Sequence, residues 1–294
     1  MRVARFEQPG PADVIDLVDY PHPQAPEPDE VVIDVIAAGI NPADSKTRSG
    51  SIAPGLLPGR LGRECVGVVR EVGVNVTELQ PDDLVVATGE GLLADVVTVA
   101  RPLVTTLPAG VSADQGACLP VAGQTAWRAM ESQAVEPGAV VVVSAAAGGV
   151  GHILCQLLLE RGARVIGTAS SRHHEYLQAL GVDPVEYGPG LEKRLQALCP
   201  EGIAHVFDQS GEEMVEVALS LGVPNGAINS ISGVGPRYGV ATVGRVGLDE
   251  AVISQLGERV ADGRLSLMIR TFPFSEVRKA FIELDEMPLR GKIV

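Results

Sequence analysis

The sequence predicts an α/β protein in which a doubly wound parallel sheet follows a mainly β region, and three observations carry that reading. Val140 to Arg172 runs without a break as strand, glycine-rich turn, helix and second strand. Beyond Pro108, strand-like apolar runs alternate with helical stretches, the pattern of parallel strands joined by crossover helices. Roughly the first hundred residues instead hold short β-like runs broken by Pro and Gly.

Each element has a local cause. Strands are expected at Val31 to Ala37, Cys65 to Val72, Asp83 to Ala87 and Asp95 to Val99, with the prolines from Pro21 to Pro28 forming an irregular surface connection. Ser112 can cap a short helix through Cys118, and Thr125 to Ser132 reads as another. Val140 to Val143 is a β-branched run suited to a strand buried on both faces, and the strand is read at Val140 to Ser144. After the turn, Val150, Ile153, Leu154, Leu157 and Leu158 share one helix face, and Gly162 stands where a C-terminal cap belongs. Further strands are read at Arg164 to Thr168, Pro184 to Tyr187, His205 to Asp208 and Gly226 to Ser230. From Asp249 the tail gives an amphipathic helix, a strand near Met268 to Phe272, a helix from Ser275 to Glu286 and a terminal strand at Lys292 to Val294. Its strand-rich ends are expected to return to the first domain, so residues 1–113 with 249–294 form one domain and residues 114–248 the other.

The turn itself reads as a dinucleotide grip. Ala146, Gly148 and Gly151 give A-x-G-x-x-G between strand and helix, with Gly149 and Val150 completing it. Gly148 lets the backbone approach a pyrophosphate, Gly151 lets the helix close on the strand, and the N–H groups of the helix start hold the phosphates. The competing reading is a βα turn that is tight for packing alone. Ala146 replaces the usual first glycine, which requires a turn geometry that tolerates a Cβ.

Composition removes several function classes. With a net charge of -14 and 3% aromatic residues, the 294-residue chain repels phosphate backbones and lacks rings for base stacking, so neither nucleic acid nor an anionic membrane is an expected partner. Ala139 to Leu159 carries no formal charge, but its glycines, His152 and Gln156 fit a buried βα unit better than a membrane span. The N-terminal MRVARFEQPG lacks the apolar core of a signal peptide, and a cytoplasmic location is expected. Cys65, Cys118, Cys155 and Cys199 are scattered, with no C-x-x-C pair, and read as small buried hydrophobes.

Several motifs stand in the order of one family. They are Gly39-Ile40-Asn41-Pro42-Ala43-Asp44, Arg48-Ser49-Gly50, Gly62-Arg63-Glu64-Cys65-Val66-Gly67-Val68-Val69, Ala126-Trp127-Arg128-Ala129, Ala145 to Gly151, and the closing Gly291-Lys292-Ile293-Val294. Together they resemble the zinc-independent medium-chain dehydrogenase/reductases of the quinone oxidoreductase (zeta-crystallin) type, over nearly the whole chain. The resemblance implies a GroES-like β domain built from both termini, a Rossmann domain between, NADPH in the cleft and commonly a homodimer. It implies reduction of quinones or other α,β-unsaturated carbonyl compounds. Zinc-dependent relatives carry Gly-His-Glu and a cysteine cluster; here Arg63 occupies the histidine position and the cluster is missing, so no metal is expected. His173 and His174 read as solvated helix histidines.

Cofactor choice follows from the end of the second strand. NAD sites place an acid there for the ribose 2′-hydroxyl, whereas this chain has Gly167-Thr168-Ala169-Ser170-Ser171-Arg172. Two hydroxyls and a guanidinium suit a 2′-phosphate, which favours NADPH. Ser170 could equally serve as a helix N-cap. The resemblance adds Tyr187 beside the same phosphate, and it places Asn41, Asp44 and Thr125 near the reacting ring. Ser232 and Gly233 fall in the loop after the fifth strand. Many relatives have tyrosine at the positions of Lys46 and Ile52, so a proton comes from water or from Lys46, or is taken up readily by a quinone. The resemblance also marks the chain as shortened around Ala87 to Ala94 and Gly233 to Val243. Two other readings stay open: an enoyl-thioester reductase of a polyketide or fatty-acid pathway, with Arg48, Arg60 and Arg63 as a carrier-binding patch, and a non-catalytic NADPH-binding protein.

Overall fold

The β-branched runs of the N-terminal part pair as antiparallel strands. The structure, a computed structural model, describes residues 1–52, 56–244, 247–286 and 290–294. In chain order β1 (Arg2–Phe6), β2 (Asp16–Asp19), β3 (Glu30–Gly39), β4 (Gly59–Arg60), β5 (Glu64–Val72), β6 (Leu84–Thr88), β7 (Val96–Ala100) and β8 (Val104–Thr106) form a five-stranded sheet, β7-β3-β5-β6-β8, and a small one, β2-β1-β4. Alternate residues of these strands, Val31, Ile33, Cys65, Val69, Val85, Ala87, Val97 and Val99, make one core. Helix α1 (Pro42–Ser49) leaves the end of β3, where an Asn-Pro pair fits a turn as readily as a helix start. Asn41 is its N-cap residue and Pro42 sits in its first turn, where a missing N–H costs nothing. The short helix expected after Ser112 is α2 (Ala113–Gly116), and Ser112 with Gln115 forms its capping box.

The middle of the chain alternates as expected. It contributes α3 (Gln124–Glu131), β9 (Val140–Val143), α4 (Gly151–Glu160), β10 (Arg164–Thr168), α5 (His174–Ala179), β11 (Asp183–Val185), α6 (Leu191–Leu198), β12 (His205–Asp208), α7 (Glu212–Ser220), β13 (Ile228–Ser230), α8 (Gly235–Tyr238) and β14 (Ala241–Thr242). The six strands are parallel in the order β11-β10-β9-β12-β13-β14, so the sheet winds outward both ways from β9 and the switch point lies between β9 and β12. Val142, Ile166, Val206, Leu195, Val215 and Ile228 fill one side of it. Gly162, at φ +81, ends α4 at the expected place.

The tail then gives α9 (Glu250–Ala261), capped by Asp249, followed by β15 (Ile269–Arg270), α10 (Val277–Glu286) and β16 (Lys292–Ile293). Strand β16 pairs with β15, and the Ile40 N–H donates to Ile293 O at 3.1 Å. The chain divides into two compact units, Met1–Val121 with Val246–Val294, and Ala122–Arg245. The division points lie eight and three residues from the expected 113/114 and 248/249. Among the described residues no helix is long and apolar enough to cross a membrane. The four cysteines are buried and unbridged, and burial pushes the Cys65 and Cys118 thiols up to about 12.

Candidate active site

In the central unit the glycine turn closes on itself before it faces anything else. The left-handed residue is Ala145, at φ +47, one position ahead of the alanine that the motif put in question. Its N–H donates to Thr168 Oγ1 at 3.2 Å, and the Ala146 N–H donates to Thr168 O at 2.9 Å, so the end of β10 holds the turn in place. The Ala146 methyl is accommodated because β10 carries Gly167 opposite it: a Cβ on Gly167 would lie 2.6 Å from the Ala146 Cβ. An alanine in place of the first glycine is thus matched by a glycine in the neighbouring strand.

The remaining glycines divide the work. A Cβ on Gly151 would strike the Ala145 carbonyl and come within 2.8 Å of Ala146 Cα, so Gly151 serves packing within the turn. A Cβ on Gly148 would meet only the Ala145 carbonyl oxygen, at 3.2 Å, and no other atom nearby. Apart from that carbonyl nothing crowds Gly148, which is what the expected pyrophosphate cradle requires. Gly149 and Val150 continue the turn into α4, half-buried. His152, fully buried in the first turn of α4, has Nδ1 2.8 Å from Gly148 O. Burial pushes its pKa down to about 4, so the ring is neutral and Nδ1–H donates to that carbonyl, pinning the turn from behind.

The expected nucleotide edge lies where β10 and β11 end side by side. Thr168 is in register with Val185, and the Ala169 N–H donates to Val185 O at 3.0 Å, which brings Ser170, Ser171, Arg172 and Tyr187 to one edge of the sheet. Ser170 occupies the N-cap position of a short turn without a side-chain cap bond; its Oγ instead accepts from Arg172 Nε at 3.3 Å. Ser171 and Arg172 are exposed, and Tyr187 is 45% exposed.

Sequence reading missed a buried carboxylate at the switch point. Asp208 ends β12 and accepts hydrogen bonds from Ser144 Oγ (2.9 Å), Ser230 Oγ (2.6 Å), Ser232 Oγ (2.8 Å) and the N–H groups of Ser210 and Gly211 (2.9 and 2.8 Å). It therefore ties together the ends of β9, β12 and β13. Ser232 reaches the loop after β13 as expected, but its hydroxyl is committed to Asp208; Gly233 follows at φ +93. The available signal was a lone acid closing the apolar run His205 to Asp208. Thr125 lies half-buried in the first turn of α3.

The other unit gathers Asn41 and Asp44 into a buried polar cluster. Asn41 Nδ2 donates to Glu64 Oε1 at 2.9 Å, and the Asn41 N–H donates to Asp44 Oδ2 at 2.9 Å. Asp44 also accepts from the Gly62 N–H at 3.2 Å and lies 3.6 Å from Arg63 Nε. Burial outweighs these favourable partners and raises its carboxyl to about 6. Glu64 in turn pairs with Lys292 Nζ at 2.7 Å and accepts from the Val121 N–H at 2.8 Å, while Lys292 also donates to Ile40 O at 2.8 Å. Glu64 and Lys292 were not read as site residues, although a lysine inside an apolar terminal strand is itself a signal of a buried partner. Lys46, by contrast, is exposed on α1 and outside this cluster.

The cationic patch does not assemble. Arg48 is buried and paired with Asp285 at 2.7 Å; Arg60 bonds Gly91 O and lies over the Tyr20 ring; Arg63 is held by Asp44 and by Thr47 Oγ1 at 3.0 Å. Among the described residues no group of three or more His, Cys, Asp or Glu could hold a metal ion, so the residues present do not fit a zinc site.

Comparison with known proteins agrees with this architecture. Residues 27–109 match the alcohol dehydrogenase GroES-like domain, and residues 149–256 match the family described as zinc-binding dehydrogenase. The chain is 30% identical to NAD(P)H oxidoreductase RTN4IP1, mitochondrial, of Mus musculus, over 91% of its own length and 81% of that protein. It is 29% identical to the NADPH-dependent alkenal/one oxidoreductase, chloroplastic, of Arabidopsis thaliana, over 90% and 72%. Polyketide synthase GfsB of Streptomyces halstedii matches at 34% identity over 75% of the chain, which is only 4% of that synthase. Among solved structures, the quinone oxidoreductase from Coxiella burnetii superposes with a TM-score of 0.91 at 30% identity, covering 100% of this chain and 98% of that one.

Proposed function

Because the chain belongs to the zinc-independent medium-chain dehydrogenase/reductases of the quinone oxidoreductase type, and is a nicotinamide-dependent oxidoreductase, we propose that it uses NADPH to reduce quinones or small α,β-unsaturated carbonyl compounds. The observation that carries this reading is the nucleotide edge: an open glycine cradle at Gly148 beside a β10 end that offers Ser170, Ser171 and Arg172 and no carboxylate. When bound, the reduced nicotinamide supplies a hydride; with one proton it converts a quinone to the hydroquinone. The protein's part is to hold and orient. Gly148 admits the pyrophosphate, and the positive end of α4 faces it. Ser170, Ser171, Arg172 and Tyr187 receive the 2′-phosphate, Arg172 as the permanent cation. Asp208 fixes the Ser230 to Gly233 loop by accepting from both serine hydroxyls. In this reading Asn41, with its amide fixed by Glu64, is a positioning group for the ring.

Small acceptors are favoured over carrier-bound thioesters because Arg48 is buried on Asp285 and Arg63 is held by Asp44 and Thr47, which leaves Arg60 as the exposed one of the three. The test follows NADPH oxidation with quinones, short enones and a crotonyl thioester, with NADH alongside. Turnover of quinones or enones with NADPH is the expected result. Turnover confined to the thioester, or an equal use of NADH, would overturn it. Arg172→Ala should weaken NADPH by roughly 1.5 to 3 kcal/mol and leave NADH nearly unchanged.

A further inference from the structure

We propose that Arg194 is the positioning residue that fixes the Tyr187 loop and thereby gives the nucleotide edge its discrimination for a 2′-phosphorylated ribose; this rests on the NADPH reading above. Between β11 and α6 the chain runs Glu186-Tyr187-Gly188-Pro189-Gly190. Gly188 and Gly190 stand at φ +84 and +85, a region that strains other residues, and Pro189 between them has its own φ locked by its ring. The carbonyls of this loop converge on one side, and Arg194, in the first turns of α6, folds back into them. Nε and Nη2 donate to Glu186 O at 2.9 and 2.7 Å, Nη2 also to Tyr187 O at 3.2 Å and Gly188 O at 3.1 Å, and Nη1 to Pro189 O at 2.9 Å. Every one of these partners is a backbone carbonyl.

That arrangement needs a planar fork. A guanidinium presents its N–H donors in fixed directions within one plane, whereas a lysine ammonium is a single point and cannot span successive carbonyls. Packing does little to hold the loop, since Glu186 is exposed and Tyr187 is 45% exposed. Beside one backbone bond, from the Leu191 N–H to Gly188 O at 3.0 Å, the charge-assisted bonds from Arg194 are what fixes it. The loop leaves β11 beside the turn in which Arg172 bonds Ser170 at the end of β10, with Thr168 and Val185 in register just before them. Arg194 so determines where Tyr187 stands relative to the residues that receive the extra phosphate, without being one of them. Its position is not legible from the fingerprint: it lies seven residues past the tyrosine, on the next helix.

The test is calorimetric titration of the full chain with NADPH, NADH, 2′,5′-ADP and 5′-AMP, for the wild type, Arg194→Ala, Arg194→Lys, Gly190→Ala, Tyr187→Ala and the double variant Arg194→Ala/Tyr187→Ala. Gly190→Ala strains a left-handed residue and places a Cβ 3.1 Å from Arg194 Nη1. Arg194→Ala should weaken NADPH and 2′,5′-ADP roughly tenfold, the loss of about one charge-assisted bond to the phosphate, while NADH and 5′-AMP change less than about twofold. Arg194→Lys should recover only part of this, Gly190→Ala should reproduce part of it, and Arg194→Ala should add nothing once Tyr187 is gone. A lowered melting temperature with an unchanged NADPH to NADH ratio would make Arg194 merely structural and overturn the inference alone. A wild type without preference for the 2′-phosphate would overturn the NADPH reading, and the inference with it.

Discussion

The two units solve the problem of buried polarity in opposite ways. Around Asp208 the central unit surrounds a carboxylate with hydroxyls and N–H groups, none of them charged. Around Asn41 the other unit sets two carboxylates, Asp44 and Glu64, against two cations, Arg63 and Lys292. The first arrangement gives directional bonds that hold strand ends in register. The second depends on each charge keeping its partner, because an orphaned ion in a low-dielectric site costs far more than a lost neutral bond. Removing one side chain should therefore hurt the charged cluster most.

Lys292→Met tests that contrast with the largest expected effect. It leaves Glu64 buried opposite an apolar chain, and breaking a buried pair in this way typically costs about 3 to 5 kcal/mol. Chemical unfolding followed by circular dichroism should show the loss, and Glu64→Gln/Lys292→Met should recover much of it. Asn41 provides the functional readout, since its amide is held by Glu64. If Lys292→Met unfolded with the wild-type midpoint, the cluster would not depend on pairing and the contrast between the units would fail.

Acid sharpens the comparison, because the two units should respond with opposite signs. His152 is held at about 4 against an ordinary 6.5, so the unfolded chain binds its proton first. Its contribution is fully present above pH 6.5 and is lost as pH falls toward 4, on the order of 3 kcal/mol in all. Asp44 is raised to about 6 from 3.8, so its effect runs the other way: stability is greatest below 3.8 and is lost as pH rises through 6. Trp127, the one tryptophan, lies in the central unit and reports that unit's unfolding. Fluorescence-detected unfolding of His152→Asn should lose the acid-labile component, whereas Asp44→Asn, followed by circular dichroism, should lose less stability than the wild type when pH rises from 4 to 7. Parallel profiles for wild type and both variants would remove titration from the account.

The same contrast explains what the sequence disclosed. The glycine turn, α4 and the end of β10 lie within Val140 to Arg172, so their geometry is local and their spacing is the message. The fold class was legible for a related reason: periodicity and turn residues act over short stretches. The charged cluster joins positions 41, 44, 63, 64 and 292, which only the sheet and the Ile40 to Ile293 bridge bring together. Motif order pointed to Glu64 and Lys292 without saying that they meet. Short strands such as β1, β2, β4, β8 and β14 were missed because two to five residues carry too little pattern. Helix α1 was missed because Asn41-Pro42 signals a turn and a helix start alike.

Within the glycine turn, the two positions offer a smaller and more local test. Gly151→Ala forces a Cβ against the Ala145 backbone and should destabilise the central unit by about 1 to 3 kcal/mol, read by Trp127 fluorescence. Gly148→Val should lower that midpoint less and abolish protection from heating by NADPH, since its Cβ meets only the Ala145 carbonyl oxygen, at 3.2 Å. The reverse pattern would exchange the two roles.

The smallest expected effect concerns Lys46, and it bears on proton supply. A lysine that served as an obligatory acid would need a fixed place among the groups that orient the reaction, yet Lys46 is exposed, while its helix neighbour Asp44 turns inward to Asn41 and Gly62. An exposed ammonium competes poorly with water as a donor to a quinone, whose reduced oxygens take up protons readily. Lys46→Met should therefore lower quinone turnover less than about threefold, under 1 kcal/mol, whereas Asn41→Ala should lower it severalfold or more by loosening the ring. Enones set the stricter condition, because a carbon must finally be protonated. If Lys46→Met abolished enone turnover with NADPH affinity unchanged, and a primary amine added to the buffer restored it, the proton would come from this lysine after all. In that case the exposed surface of α1, and not the buried cluster behind it, would be the chemically active part of the unit.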